Sequence, residues 1–307
     1  MKLSASIAAS ACLASALPAL ADSFSAWDEN DYWGHWSDKY YTNHTRLAYT
    51  YDSDENPTDH YFFSLGQEMY TPANKSALIP PENDRPYAGF LYVSAGIAQS
   101  TKDVLRSVEL QIGVVGPSSL AYECQRDYHD FIGESYPQGW DYQVKDQLGL
   151  NLLSETRMRR MLTGTLGEGY AGDLIVRGFF SLGTVRTQLS GGAQVRYGIN
   201  LPGNFGYTTM RQGTSVVLKP DVPASLYVFA DFQADLNIYD VTLGGELLRN
   251  HDSDIYAYPL SAEFTVGLAA TYGNWSAMIF QSFRSRDFSA ADKTFFAFGG
   301  VRLSYSF

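Results

Sequence analysis

The stretch SLYVFADFQADLNI, from Ser225 to Ile238, alternates between two kinds of side chain with a period of two. Its even positions, beginning at Leu226, are all apolar, whereas its odd positions include Asp231 and Asp235. This pattern predicts a β-strand with one apolar and one polar face. The stretch is longer than the roughly five or six residues of a soluble strand, and it suits the roughly 9 to 11 residues that a tilted transmembrane strand needs.

The same alternation recurs along the chain and predicts an all-β fold, a twelve-stranded antiparallel transmembrane β-barrel. The predicted strands are 23–31, 41–52, 59–70, 87–98, 104–115, 149–163, 171–185, 188–200, 224–238, 259–272, 275–286 and 293–307. A thirteenth strand at 240–249 is conceivable, but single-chain bacterial barrels have an even number of strands. We therefore assign 240–249 to a strand extension or an outer loop.

A soluble β-sandwich is the alternative, because there the apolar faces would meet in an inner core. Two features favour the barrel. The polar faces carry Tyr, Asp, Gln and Arg, as a barrel lumen does. The chain also ends with Val301-Arg302-Leu303-Ser304-Tyr305-Ser306-Phe307. This ending resembles the last strand of bacterial outer-membrane barrels, whose terminal aromatic residue is read by the barrel assembly machinery.

Composition excludes two classes of protein. Charged residues make up 18% of the chain, below the roughly 25% of ordinary soluble domains, and aromatic residues make up 15%. Beyond the N-terminal segment there is no apolar run of about 18 residues, which excludes a helical membrane protein. The net charge is −11, and it becomes −12 if Lys2 is removed with a leader. An acidic chain without a basic stripe repels a phosphate backbone, so we expect no nucleic-acid binding.

The N-terminal segment, 1–21, is predicted to be a signal peptide. It begins with Lys2 and ends in a small-x-small cleavage site, Ala19-Leu20-Ala21. A lipoprotein cut before Cys12 is less well supported, because Ala9-Ser10-Ala11 lacks the expected leucine. The mature chain, 22–307, is then one barrel whose single cysteine, Cys124, excludes an intramolecular disulfide.

If the first strand rises from the periplasm, the outer loops are 32–40, 71–86, 116–148, 239–258 and 287–292. The short turn Gly273-Asn274 and the long segment 201–223 are then periplasmic. The loop 116–148 is predicted to contain a short helix. Ser118 or Ser119 can cap its start, and Gly133 is a plausible end.

The predicted helix carries the best candidate for a general base. His129 and Gln125 are four residues apart and share one helix face. Imidazole is the side chain whose ordinary pKa lies nearest neutrality, which suits acid–base catalysis. A solvated surface histidine has the same sequence pattern. The remaining histidines, His35, His44, His60 and His251, show no metal-ligand spacing.

Strand ends bring further polar residues to the same outer rim. Asn30-Asp31 ends the first strand and Thr42 begins the second. These residues either form turns or ligate a hard cation such as Ca²⁺ through oxygen. Lys75 and Arg85, in or beside the loop 71–86, can pair with lipid phosphates or belong to a solvated rim.

Seven blocks in order resemble the outer-membrane lipid A 3′-O-deacylases, densely over 22–150. They are Glu29-Asn30-Asp31, Tyr41-Thr42-Asn43, Gln67-Glu68-Met69-Tyr70-Thr71-Pro72, Asp84-Arg85-Pro86-Tyr87-Ala88-Gly89, Gly113-Val114-Val115-Gly116-Pro117, Gln125 to His129, and Gly139-Trp140-Asp141-Tyr142-Gln143. The resemblance implies a twelve-stranded barrel in the bacterial outer membrane. It also implies Ca²⁺-dependent removal of the 3′-linked acyloxyacyl chain from lipid A, the lipid anchor of lipopolysaccharide.

Site residues follow from the resemblance by position. They are Asn30, Asp31, Thr42, Gln125 and His129, with Lys75 as the loop lysine and Glu134, one residue out of register, as a nearby acid. The resemblance implies that His129 activates water and that Asp31 holds Ca²⁺. Glu134 either supports the ion or orients His129. The polar side chains of Asn30, Thr42 and Gln125 would contact the ion, the water or the substrate.

Two other functions share much of this pattern. A phospholipase-type acyl hydrolase would use a serine nucleophile, and no serine can be placed beside a base and an orienting acid from the sequence. A porin or adhesin without enzymatic activity needs no base, but a porin needs a water-filled lumen. The predicted lumen faces carry Phe179, Tyr227, Phe229, Phe296 and Phe298, which suggests a largely filled barrel.

Overall fold

The chain forms a closed barrel of antiparallel strands in a computed structural model that describes residues 23–33, 39–135, 137–162, 167, 169–245, 255–291 and 295–307. Its twelve strands are β1 Ser23–Asn30, β2 Tyr40–Asp52, β3 Asp59–Thr71, β4 Ala88–Ser100, β5 Val104–Val115, β6 Gln147–Met161, β7 Tyr170–Gly183, β8 Arg186–Ile199, β9 Ala224–Asp240, β10 Leu260–Tyr272, β11 Trp275–Ser285 and β12 Phe295–Ser306.

Each strand pairs with its sequence neighbours, and β1 closes the barrel by pairing with β12. Ser23 lies opposite Ser306, and Asn30 lies opposite Gly299. All twelve predicted strands are confirmed, with ends that differ by at most two residues. The leader 1–21 and the predicted strand ends at 163 and 293 lie outside the described residues.

The two faces of each strand have the burial expected of a membrane barrel. On β9, Leu226 is 50% exposed while its neighbour Tyr227 is 4% exposed, and the acidic Asp231 and Asp235 are buried. The apolar face therefore points outward and the polar face points into the lumen. This arrangement is the reverse of a sandwich core, and it confirms the barrel prediction.

We call the two openings of the barrel the loop end, where β3 and β5 finish at Thr71 and Val115, and the terminus end, which holds Ser23 and Ser306. The segment 201–223 leaves the terminus end after β8 and folds into the lumen, where every residue of 205–217 is buried. A twelve-stranded barrel is too wide for strand side chains alone to fill, so this segment supplies the remaining packing.

Polar side chains hold the lumen segment in place. The amide of Met210 donates to Oε1 of Glu29 over 2.9 Å, and the amide of Ser215 donates to Oε2 of Glu109 over 2.6 Å. Backbone groups removed from water must find partners, and here the strand carboxylates provide them. The segment 201–223 therefore joins β8 to β9 at the terminus end, but its middle lies inside the barrel. That the terminus end faces the periplasm stays a prediction.

Around this segment the lumen is lined with ion pairs. Arg284 lies 2.9 Å from Asp235, 3.1 Å from Glu263 and 3.2 Å from Asp287. Further buried pairs are Arg186 with Glu68, Arg177 with Asp231 and Arg196 with Asp173. Buried charges are tolerated when they are paired in this way.

The long loop between β5 and β6 contains the predicted helix, α1 Ala121–Ile132. Gly133 ends it with a left-handed backbone, φ 76°, as predicted. The predicted serine cap is wrong, because Leu120 occupies the N-cap position and no side chain caps the helix there. Ser118 instead bonds Asp146, through its amide at 2.7 Å and its hydroxyl at 2.8 Å.

The connection after β9 begins with a short helix, α2 Val241–Gly244, capped by Asp240, which accepts a hydrogen bond from the amide of Thr242. The region 240–249 therefore starts with the last residue of β9 and the helix α2 rather than with a thirteenth strand, and 246–254 lies outside the described residues. Neither helix is long and apolar enough to cross a membrane, and the same is true of every helix in the described ranges.

Candidate active site

The loop end of β1 and β2 holds the first group of predicted site residues. The amide of Asp31 donates to the carbonyl of Thr42 over 3.3 Å. Thr42 is the extra residue of a β-bulge, because Tyr41 pairs with Tyr70 and Asn43 pairs directly with Met69. A bulge bends the strand and redirects a side chain, and bulges are frequent beside active sites.

Asp31 continues the lumen-facing side of β1 and is 1% exposed. Thr42 is also buried, and its hydroxyl lies 2.7 Å from the hydroxyl of Thr71, the last residue of β3. Asn30 lies on the opposite side of β1, where its Oδ1 accepts a hydrogen bond from the amide of Tyr32 over 2.8 Å. Asn30 therefore forms a turn, which was one of its two predicted roles, the other being ligation of a cation.

The helix α1 packs onto the loop end of β3 and β4. Ala121 lies in a buried cluster with Met69, Tyr87 and Trp140. A Cβ at Gly89 would come within 2.4 Å of the Cβ of Ala121, so the close approach of helix and strand requires glycine at this position. The helix is thereby held against the loop ends of β3 and β4.

Gln125 and His129 lie on one face of α1, one turn apart. Gln125 is buried, and its Oε1 accepts a hydrogen bond from Nε1 of Trp140 over 2.8 Å. His129 is half-buried, and its Nδ1 lies 2.7 Å from the carbonyl oxygen of Ser135. A carbonyl only accepts, so Nδ1 carries the proton and Nε2 is left with the basic lone pair.

Glu134 does not orient the imidazole in this structure. Its amide donates to the carbonyl of His129 over 3.0 Å, which closes the end of the helix, and its side chain is exposed. The ring nitrogen that an orienting acid would contact is bonded to the Ser135 carbonyl. The expected alternative, that Glu134 supports a cation, is not affected by this finding.

The loop 71–86 lies beside the loop that carries α1. The carbonyl of Lys75 accepts a hydrogen bond from the amide of Gln138 over 2.9 Å, and the hydroxyl of Tyr87 donates to it over 3.3 Å. Lys75 is half-buried at this junction. Its backbone therefore holds two outer loops together beside Tyr87, which packs with Ala121 and Trp140.

Arg85 lies inside the barrel mouth rather than on the outer rim. It is buried over the ring of Tyr70, 4.1 Å from the ring centre, and it donates a 2.5 Å hydrogen bond to the hydroxyl of Thr242. Burial lowers the pKa of Arg85, while Asp240 and Asp287 oppose this shift. Direct contact with a lipid phosphate would require these interactions to open, so the structure argues against that role.

The two groups of site residues meet around the end of β3. Thr71 contacts Thr42 on one side, and Met69 packs in the cluster with Ala121 and Trp140 on the other. The roles of Trp140, Thr71 and Ser135 were not recognised from the sequence. Trp140 and Thr71 lie within the seven sequence blocks that resemble the deacylase family. Ser135 acts through its backbone carbonyl, which any residue type can provide, so no sequence motif identifies it.

The donors at the loop end are chemically suited to a hard cation. The buried Asp31 offers carboxylate oxygens, and Thr42 and Thr71 offer hydroxyl oxygens nearby. Among the described residues, no group of three or more His, Cys, Asp or Glu side chains is arranged to hold a metal ion. Carboxylate and hydroxyl oxygens are ligands that Ca²⁺ accepts, so Asp31, Thr42 and Thr71 are chemically compatible with such a cation.

Comparisons with known proteins agree with this architecture. A family model described as outer membrane protein LpxR matches residues 3–307. Among solved structures, LpxR from Salmonella typhimurium is similar with a TM-score of 0.80 and 18% sequence identity, over 93% of this chain and 100% of that chain. At this identity the likeness establishes the fold alone. Among curated proteins, none matches the chain.

Other barrels are more distant. The β domain of the Bordetella autotransporter BrkA has a TM-score of 0.47 and 9% identity, over 94% of this chain and 100% of that chain. The KdgM porin has a TM-score of 0.38 and 9% identity, over 93% of this chain and 99% of that chain.

Proposed function

The chain belongs to the LpxR family of outer membrane proteins, and from this premise we propose that it is an ester hydrolase that removes the 3′-linked acyloxyacyl chain from lipid A. The observation that carries the proposal is the 2.7 Å bond between Nδ1 of His129 and the Ser135 carbonyl. This bond leaves Nε2 as a base at the barrel mouth, where the outer leaflet supplies the substrate.

In the proposed reaction, Nε2 of His129 takes a proton from a water molecule, and the oxygen of that water attacks the carbonyl carbon of the 3′-ester. The ester C–O bond breaks, the 3′-oxygen of the sugar receives a proton, and the acyloxyacyl chain leaves as a carboxylic acid. No covalent acyl-enzyme forms. General-base assistance of this kind contributes about 10²- to 10⁴-fold to a rate.

We propose that Asp31 and Glu134 provide the carboxylates for a calcium ion. When bound, Ca²⁺ polarises the ester carbonyl and stabilises negative charge on its oxygen. Thr42 and Gln125 bind and orient the water or the substrate, and Asn30 shapes the turn that follows β1. The side chain of Lys75 meets a glucosamine phosphate at the outer surface.

Mass spectrometry of lipid A and phospholipids tests the proposal, using cells with and without the protein. Loss of one 3′ acyloxyacyl unit from lipid A in cells that contain the protein supports it. In a separate assay of the purified protein with lipid A, EGTA should abolish the release of that unit. Lysophospholipid with unchanged lipid A would indicate a phospholipase instead. If neither product forms, the protein is a barrel without this activity. A porin is disfavoured because residues 205–217 are buried within the lumen.

A further inference from the structure

Three side chains at the terminus end form a continuous hydrogen-bonded array. Nδ1 of His60 lies 2.5 Å from Oδ1 of Asp52, and Nε2 of His60 lies 2.7 Å from Oγ of Ser100. An ionised carboxylate only accepts, so Nδ1 carries a proton. A neutral imidazole then uses Nε2 to accept the hydrogen bond from Ser100. The order of acid, imidazole and hydroxyl is that of the serine hydrolase triad.

The strand register builds this array from three neighbouring strand ends. Asp52 is the last residue of β2 and lies opposite His60 of β3. His60 in turn lies opposite Ala98 of β4, so Ser100 is its diagonal neighbour. Cross-strand and diagonal neighbours on one face of a sheet are within reach of one another.

The array is tied to the neighbouring turn and is partly exposed to water. The amide of Ser100 donates to the carbonyl of Thr58 over 2.8 Å, which ties the end of β4 to the turn between β2 and β3. The side chain of His60 is 6% exposed and that of Asp52 is 36% exposed, while Ser100 is half-buried. The nucleophile and the acid can therefore be reached from the periplasm, and the base is shielded.

An apolar cluster limits what can bind beside Ser100. Ala98 packs with Phe62, Leu105, Phe205 and Val216. A cavity of about 20 Å³, lined in part by Leu105, Phe205 and Val216, lies in this region, and Leu105 is the strand partner of Ser100. Such a cavity is about the size of one water molecule and is too small for an acyl or phosphonyl group, so a group that reacts with Ser100 must lie at the open end of the barrel.

We propose that Ser100 is a base-activated nucleophile, a second reactive site at the periplasmic mouth that takes small esters or phosphonyl donors. With a fluorophosphonate, a bond forms between Oγ of Ser100 and phosphorus, the P–F bond breaks and fluoride leaves. The hydroxyl proton passes to Nε2 of His60, and Asp52 stabilises the resulting imidazolium. With an ester, a bond forms between Oγ of Ser100 and the acyl carbon, the ester C–O bond breaks, and the leaving oxygen takes the proton from Nε2 of His60 and departs as the alcohol.

The backbone around Ser100 indicates slow turnover after this step. The amide of Ser100 is bonded to Thr58, and the amide of Thr101 donates to the carbonyl of Val104 over 2.7 Å. Neither amide can then serve as an oxyanion donor, a contribution worth about 10²- to 10³-fold in serine enzymes. Their absence slows both the formation and the hydrolysis of an acyl adduct. The phosphonyl adduct is therefore the product to measure, because it is not turned over.

The test is labelling of the purified, folded full-length barrel with a small alkyl fluorophosphonate, followed by peptide mass spectrometry. The adduct is expected on Ser100 and lost in Ser100→Ala. His60→Gln should slow labelling at least about 100-fold, and Asp52→Asn should slow it strongly because an amide favours the wrong imidazole tautomer. Ser94→Ala is the matched control, since Ser94 also faces the lumen from β4 but bonds Ser64 instead of a histidine.

Folding is checked for every variant by its heat-modifiable migration in gels, and Asp52→Asn replaces His60→Gln if that variant does not fold. Two results would overturn the proposal. One is that the wild type is labelled no faster than Ser100→Ala. The other is that a folded His60→Gln or Asp52→Asn variant is labelled as fast as the wild type. Ser100→Ala should keep full lipid A deacylation, so failure at this site is distinguishable from failure of the proposed function.

Discussion

Nδ1 of His129 and the carbonyl oxygen of Ser135 lie 2.7 Å apart, across the turn that ends α1. The imidazole is thus oriented by a backbone carbonyl rather than by a carboxylate. The orientation depends on the path of the chain after Gly133, whose left-handed conformation lets the loop return toward the ring. The base and the helix end form one unit, and the helix is held to the barrel by Trp140.

Trp140→Phe tests that attachment. The change keeps an aromatic ring near Tyr87 but removes the donor to Gln125, leaving a buried acceptor without its 2.8 Å partner. We expect unfolding free energy to fall by about 1–3 kcal/mol and deacylation to slow about tenfold as Gln125 loses its position. Trp275→Phe is the control, because Trp275 is exposed on the outer face. Equal activity of the two variants would contradict the role of Trp140.

Asp31→Asn tests the cation site. Removing the carboxylate charge should raise the Ca²⁺ concentration needed for half-maximal deacylation, on the order of tenfold or more, because ligand charge sets calcium affinity. The measurement is a calcium titration after EGTA treatment. Asp127→Asn is the matched control, since Asp127 is an exposed acid on α1 paired with Arg126. An unchanged titration for Asp31→Asn would remove Asp31 from the ligand set.

Arg284→Gln tests the lumen ion pairs. The guanidinium of Arg284 contacts Asp235, Glu263 and Asp287, so its loss leaves buried acids uncompensated. We expect a loss of about 3–5 kcal/mol in unfolding free energy, measured by urea titration of the barrel in detergent. Arg126→Gln, which breaks an exposed pair, should leave the urea midpoint unchanged. A similar fall in unfolding free energy for the two variants would contradict the expectation that a buried ion pair costs more to break than an exposed one.

Asp287 predicts a specific acid sensitivity. Burial alone would raise its pKa, but Arg211, Arg284 and Arg85 lower it from 3.8 to about 2. The folded protein therefore keeps this carboxylate ionised where the unfolded chain protonates it. Its stabilising contribution is complete above about pH 4 and is lost as the pH falls toward 2. Asp287→Asn should flatten the stability profile between these values, and an unchanged slope in urea titrations would contradict the assignment.

The strands were predictable because their signal is local and repeated. Alternation such as that of Ser225 to Ile238 identifies the faces without knowledge of neighbours, and the end of α1 followed from Gly133. The lumen position of 201–223 was not predictable. Its place depends on a barrel width that emerges only when β1 meets β12, and it has no alternating pattern of its own.

The candidate site could be proposed from the sequence only in part. Residues of short motifs, such as Asp31 and His129, could be nominated and stay predictions, whereas contacts made across the closed barrel could not be foreseen. Arg85 meets Thr242, 157 positions away, and this contact withdraws it from the lipid surface. The array of Asp52, His60 and Ser100 likewise depends on register across three strands, which spacing in one sequence does not reveal.

The central claim is that His129 is the base of a lipid A 3′-O-deacylase at the loop end. It is tested most directly by the rate at which purified wild-type and His129→Ala barrels, matched in heat-modifiable folding, remove the 3′ acyloxyacyl chain from lipid A in mixed micelles with Ca²⁺. The account predicts release by the wild type and a fall of about 10²- to 10⁴-fold in the variant. A folded His129→Ala barrel that deacylates lipid A at the wild-type rate would contradict it.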